Sequence, residues 1–139
     1  MAADETMDGN AIRAAIGRKT VALIAHDNKK PTMIAFALEH HDVLARYELV
    51  ATGTTGMLLS DQVGLRVKRL LSGPLGGDAQ IAALVAVGEI EAVFFFIDPL
   101  GAHPHDPDIN SLLRICNVHN VPLATNAATA ECVLMQLDR

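Results

Sequence analysis

The chain has 139 residues, half of them hydrophobic, and a formal net charge of −5. That is the length of one ordinary domain with one core, and no apolar run approaches the roughly eighteen residues that a membrane-spanning helix needs. The acidic balance, with four Phe, one Tyr and no Trp, argues against nucleic acid and anionic membrane as partners, since both call for a basic face and base stacking calls for aromatic platforms.

Residues 1–19 read as an N-terminal extension and residues 20–139 as a single domain. Met1 to Asp8 is acidic and lacks the basic-then-apolar order of a signal peptide, so a cytoplasmic location is expected. Thr20 to Ala25 is an apolar run of strand length, and Pro31 to His40 then carries apolar residues at helical spacing. Tyr47 to Ala51 is a second strand, followed by a short helix from about Thr55 to Gln62. Arg66 to Leu71 is a weaker third strand, and Asp78 to Val87 a helix with Ile81, Leu84 and Val85 on one face. Val93 to Ile97 is continuous and apolar, as a strand buried on both faces should be. Pro107 to His119 is a helix, Pro122 to Ala124 a short strand and Ala127 to Leu137 the last helix. Cys116 and Cys132 have no CxxC spacing and fall in helix-like sequence, which predicts idle thiols rather than a disulfide or a metal site.

Strands alternating with helices predict an α/β fold, a three-layer sandwich around a five-stranded, mainly parallel sheet. Such sheets bind ligands outside the carboxyl ends of their strands. The polar and glycine-rich segments all fall there: His26 and Asp27, Thr52 to Gly56, Ser72 to Asp78, Asp98 to Asp108 and Thr125 to Ala130.

In Thr52-Gly53-Thr54-Thr55-Gly56, glycines allow tight turns, hydroxyls add donors and a helix follows, which together suit a phosphate. The same segment also reads as a plain strand-to-helix turn in which Thr54 caps the helix. It is neither a P-loop nor GxGxxG, so nucleotide binding is not indicated. Ser72-Gly73-Pro74-Leu75-Gly76-Gly77-Asp78 delivers an acid at a helix start. The helix dipole accounts for an Asp there but not for so much glycine before it, whereas proton abstraction needs an acid on a rigid, closely approached loop. In Asp98 to Asp108, three prolines stiffen the chain. Asp106 before Pro107 is explained as a helix cap, which leaves Asp98, His105 and Asp108 for function and His103 without a role. These His and Asp residues could instead be metal ligands, but they lack the helical geometries that usually mark zinc. Lys29 and Lys30, after His26-Asp27, can supply a point charge to a phosphate.

Taken together, "AHDNKK", "ATGTTG", "SGPLGGD" and "DPLGAHPHDPD", in this order and at this spacing, resemble the methylglyoxal synthase family, from about Thr20 to Leu137. The resemblance implies a metal-free and cofactor-free lyase that converts dihydroxyacetone phosphate to methylglyoxal and inorganic phosphate. It implies Asp78 as general base, His105 as donor to the substrate carbonyl, and Asp108 and Asp27 as further active-site carboxylates. His26, Lys30, Thr52, Thr54, Thr55, Ser72 and Gly73 would hold the phosphorylated triose. A homohexamer inhibited by inorganic phosphate across subunits is implied as well. The family carries an arginine in a segment beyond the last helix, and no residue before the end at Arg139 matches it. The same domain type also serves as a non-catalytic effector-binding module, the competing expectation.

Overall fold

Residues 19–101 and 109–138 are described by the computed structural model. The elements in chain order are β1 (Thr20–Ala25), α1 (Lys30–Glu39), α2 (His41–Leu44), β2 (Glu48–Ala51), α3 (Gly53–Leu58), β3 (Lys68–Arg69), α4 (Gly77–Ala86), β4 (Ala92–Phe96), α5 (Ile109–His119), β5 (Leu123–Ala124) and α6 (Ala127–Leu137). Among the described residues, the five strands form one sheet in the order β3-β2-β1-β4-β5, and every pairing is parallel. The expected mainly parallel sheet is therefore parallel throughout.

Strand β1 lies at the centre, with Val21 opposite Leu49 on one side and Ala92 on the other. Its apolar run follows from that place, because a central strand flanked by helices has no wet face. The alternation of β4 then divides the core in two. Phe94 and Phe96 pack with Val21, Leu23, Met33, Phe36, Leu59 and Leu134, on the face covered by α1, the α3 region and α6. Phe95 packs with Ile24, Ile81, Val85, Leu112 and Cys116, under α4 and α5. Phe36 meets Phe94 and Phe96 edge-on, with centroids 5.7 and 5.5 Å apart. Truncating such a ring to Ala costs about 3–5 kcal/mol. The two-sided cover is the three-layer sandwich, and the order β3-β2-β1-β4-β5 reverses direction beside β1, as right-handed crossovers require.

Local signals set the helix ends. Pro31 stands in the first turn of α1, where its missing N–H costs nothing. The Asn126 side chain caps α6 by accepting the Thr129 N–H at 2.9 Å.

Two expected elements differ from those found. The third strand, expected over Arg66 to Leu71, pairs only at Lys68–Arg69. Beyond them the Leu70 N–H still reaches the Ala51 carbonyl, and the Leu71 carbonyl accepts from Gly53, so the chain follows β2 without completing a ladder. The second helix begins at Gly53, not near Thr55, and passes into a π-helical turn at Leu59–Val63. The turn is thus Thr52 alone, and the glycines after it are helical.

Candidate active site

The carboxyl ends of β1, β2 and β3 enclose a pocket of about 170 Å³. Its walls carry Asp27 and Lys30 from the β1 loop, Thr52, Thr54 and Thr55 from the start of α3, and Ser72 and Gly73 from the loop before α4. Every polar residue there belongs to one of three separate sequence motifs. Folding brings them around one space.

Close backbone approach holds the α3 start against the Ser72 loop. The Gly53 N–H donates to the Leu71 carbonyl at 3.2 Å, and the Arg69 Nε donates to the Gly53 carbonyl, also at 3.2 Å. A Cβ on Gly53 would lie 3.2 Å from the Ser72 backbone, and one on Gly77 would run into the Leu71 carbonyl and the Thr52 methyl. Glycine is needed at Gly77 for proximity, and at Gly53 it relieves a tight contact; neither position needs it for turning. Gln80 completes the frame by accepting the Leu71 N–H at 2.8 Å.

Lys30 is the cation of the pocket. Its Nζ donates to Asp27 Oδ1 at 2.7 Å and to the Ala25 carbonyl at 3.1 Å, which leaves one of three N–H bonds for a ligand. Asp27 therefore orients the lysine. Thr52, the residue before α3, makes no side-chain capping bond, so neither it nor Thr54 serves as the cap that a plain turn would use. Thr55 is 2 % exposed, and among the described residues its Oγ1 has no hydrogen-bond partner. A buried hydroxyl left unsatisfied costs about 1–3 kcal/mol, and at a pocket wall it marks a position that a ligand oxygen would satisfy.

Asp78 is not in the pocket wall. It occupies the first turn of α4, half-buried, where the helix dipole favours a carboxylate. Among the described residues its carboxylate has no hydrogen-bond or ion-pair partner. His26 also stands outside the wall. It is buried, its ring edge meets Phe95 at 5.4 Å, and its Nδ1 accepts the Asp98 N–H at 3.0 Å. That bond assigns the proton of a neutral ring to Nε2. His105 and Asp108, with His103 and Asp106, lie outside the described residues.

A family model described as MGS-like domain matches residues 32–125. The chain is 60% identical over 118 residues to a methylglyoxal synthase of Carboxydothermus hydrogenoformans, covering 85% of this chain and 98% of that protein. It is 60% identical over 116 residues to one from Thermus thermophilus, covering 84% and 92%.

The chain belongs to the methylglyoxal synthase family.

A crystal structure of methylglyoxal synthase from Elizabethkingia anophelis NUHP1 superposes with a TM-score of 0.82 at 46% identity, covering 85% of this chain and 78% of that one. The three-layer fold is thus shared with a solved methylglyoxal synthase.

Sequence reasoning missed the brace beside the pocket in this member of the methylglyoxal synthase family. Asp98, left for function by its loop, accepts the Asn28 side-chain amide at 2.8 Å on Oδ2 and the Leu100 N–H at 3.0 Å on Oδ1. The Asn28 amide first, and then the Leu100 N–H, hold its carboxyl below the ordinary carboxylate range. Asp98 joins the loops after β1 and β4, and with the His26 bond it fixes how Asp27 and Lys30 are presented. No local signal could have disclosed a bond across 70 residues. Arg69 was missed as well, since its contact with Gly53 depends on the pairing of β3 with β2. Cys116 is buried and Cys132 exposed, both as free thiols.

Proposed function

We propose that the protein takes dihydroxyacetone phosphate to methylglyoxal and inorganic phosphate, with the pocket between β1, β2 and β3 gripping the phosphate. The observation that carries this reading is the unsatisfied Thr55 hydroxyl, buried in a wall that also holds Lys30 and the start of a helix. A phosphate oxygen would supply the missing partner, and the positive end of α3 favours the anion.

The C3 protons of the triose are weakly acidic. Asp78 would take one while His105 donates to the C2 carbonyl oxygen, steadying the enediolate that forms. A neutral imidazole suits this step, because it donates without trapping the intermediate as an ion pair. With the C1–O bond perpendicular to the enediolate plane, the electron pair moves to expel phosphate, and the enol that remains tautomerises to methylglyoxal. With that bond in the plane, expulsion is suppressed and isomerisation wins. Lys30 and the threonines would set the angle through the phosphate, with Thr52, Thr54, Ser72 and Gly73 completing the grip. Asp108 would handle a proton during expulsion, Asp27 would hold Lys30, and His26 would support the loop that carries them. Atoms balance with no oxidant, metal or cofactor, so a chelator should leave turnover unchanged.

The single domain over residues 20–139, the cytoplasmic location, the homohexamer and inhibition by inorganic phosphate across subunits belong to the same reading. Among the described residues no helix is long and apolar enough to cross a membrane. Leu71 and Leu75 are 48 and 70% exposed on either side of the Ser72, Gly73 and Pro74 that line the pocket, which supports subunit contact there.

The test is incubation with dihydroxyacetone phosphate, scoring dicarbonyl and phosphate together. Stoichiometric release of both is expected. Neither product would return the chain to the effector-binding alternative, and triose isomerisation without phosphate release would make it an isomerase.

A further inference from the structure

The two lysines that follow β1 line different pockets. Lys30 belongs to the phosphate pocket, whereas Lys29 lines a second one of about 330 Å³, together with Thr32, Thr125 and Asn126 and the apolar Phe96, Ile97, Pro99 and Ala127. The two pockets share no residue. Asn28, before the lysines in sequence, is tied to Asp98 and lines neither.

Lys29 is the one charged side chain in the second wall among the described residues. It is half-buried in a chain of net charge −5, yet among the described residues its ammonium has no hydrogen bond or ion pair. It lies near enough to Asp98 to add to the lowering of that carboxyl, but the two Asp98 oxygens are taken by Asn28 and Leu100. Thr32 stands in the first turn of α1, a ten-residue helix, and Asn126 caps α6, an eleven-residue one. Both helix starts add positive potential to a space that already holds an ammonium and two hydroxyls. The other half of the wall is apolar and would not match bare phosphate.

We propose that this pocket binds a small organic anion, with its carboxylate or phosphate head on Lys29, Thr32 and the start of α6, and its carbon chain on Phe96, Ile97 and Pro99. The site goes beyond the triose reaction and does not depend on it. Because Asn28 couples the Lys29 wall to the loop of Asp27 and Lys30, an occupant is placed to alter the affinity of the phosphate pocket.

Calorimetry with succinate, propyl phosphate and inorganic phosphate tests this, because binding is read without turnover. The background Lys30→Met with Thr55→Val disables the first pocket. In it, one equivalent of succinate or propyl phosphate should still bind, more tightly than inorganic phosphate. Adding Lys29→Met should weaken that binding about tenfold or more, as loss of a charge-assisted contact does. Which organic probe binds tells a carboxylate site from a phosphate one. No saturable binding of either, or binding indifferent to Lys29, overturns the proposal. Should the double variant not fold, wild-type crystals soaked in propyl phosphate decide by position: density against Lys29 and Asn126 supports the site, and density at Thr55 alone overturns it.

Discussion

The two pockets lie on one edge of the sheet and begin from consecutive lysines, yet they are built from different materials. The one at Lys30 is small, about 170 Å³, and behind it the backbone packs closely, tightly at Gly53 and with no room for a Cβ at Gly77. The one at Lys29 is about 330 Å³, has no glycine in its lining, and half of its lining residues are apolar. Backbone packed through glycine has one shape, so the first pocket can fix the angle of a phosphate ester. Side-chain walls rearrange more readily and suit recognition of a class of anions. The shared loop, pinned by Asp98, is where the two would communicate.

Five substitutions would break or sharpen that contrast. Asp78→Asn should have the largest effect, lowering both phosphate release and C3–H exchange at least about a hundredfold with the fold intact by circular dichroism. Exchange at the parental rate would remove Asp78 as base, and His105→Gln should lower kcat more than it raises KM. Next comes Gly77→Ala, which forces the Leu71 carbonyl away from the start of α4. Denaturant unfolding should show a loss of about 1–3 kcal/mol, with a higher KM; parental values in both would mean that the backbone wall is not rigid.

Thr55→Val separates binding from stability. Among the described residues the hydroxyl has no partner to lose, so the variant should melt no lower than the parent. Phosphate binding should nevertheless weaken about tenfold, the worth of one charge-assisted bond. Unchanged phosphate affinity would move the anion elsewhere.

Asp98→Asn probes the brace and should have the smallest effect. The Asp98 pKa is lowered in the folded protein, first by Asn28. The charged form is the one that the fold favours, so its stabilisation is present above the unfolded value of about 3.9 and is lost as pH falls through the lowered folded value. Carboxyl NMR should place the Asp98 midpoint below that of an ordinary Asp. An ordinary midpoint would mean that the Asn28 bond does not persist in solution.

Much of the fold was legible because hydrophobic pattern is local. Strand Thr20–Ala25 and helix Ala127–Leu137 match their expected bounds, since an unbroken apolar run and a capping Asn mark their own ends. The third strand was drawn too long because Lys68–Arg69 is an edge pair, whose extent depends on a neighbour and not on its own residues. In the pocket, Thr52, Thr55 and Ser72 were legible as motif residues. That Gly53 serves close approach, with the turn confined to Thr52, was not, because the distance to Ser72 is set by packing.

The amino-acid sequence alone determined which segments become strands and helices, and which loops carry the His, Asp, Lys and Thr side chains capable of chemistry. Both follow from neighbours a few residues apart. The order β3-β2-β1-β4-β5, the gathering of three loops around Thr55, the bond from Asn28 to Asp98 and the parting of Lys29 from Lys30 were decided by the tertiary structure. Each depends on which faces find cover across the whole core, a choice that no short stretch of chain can make by itself.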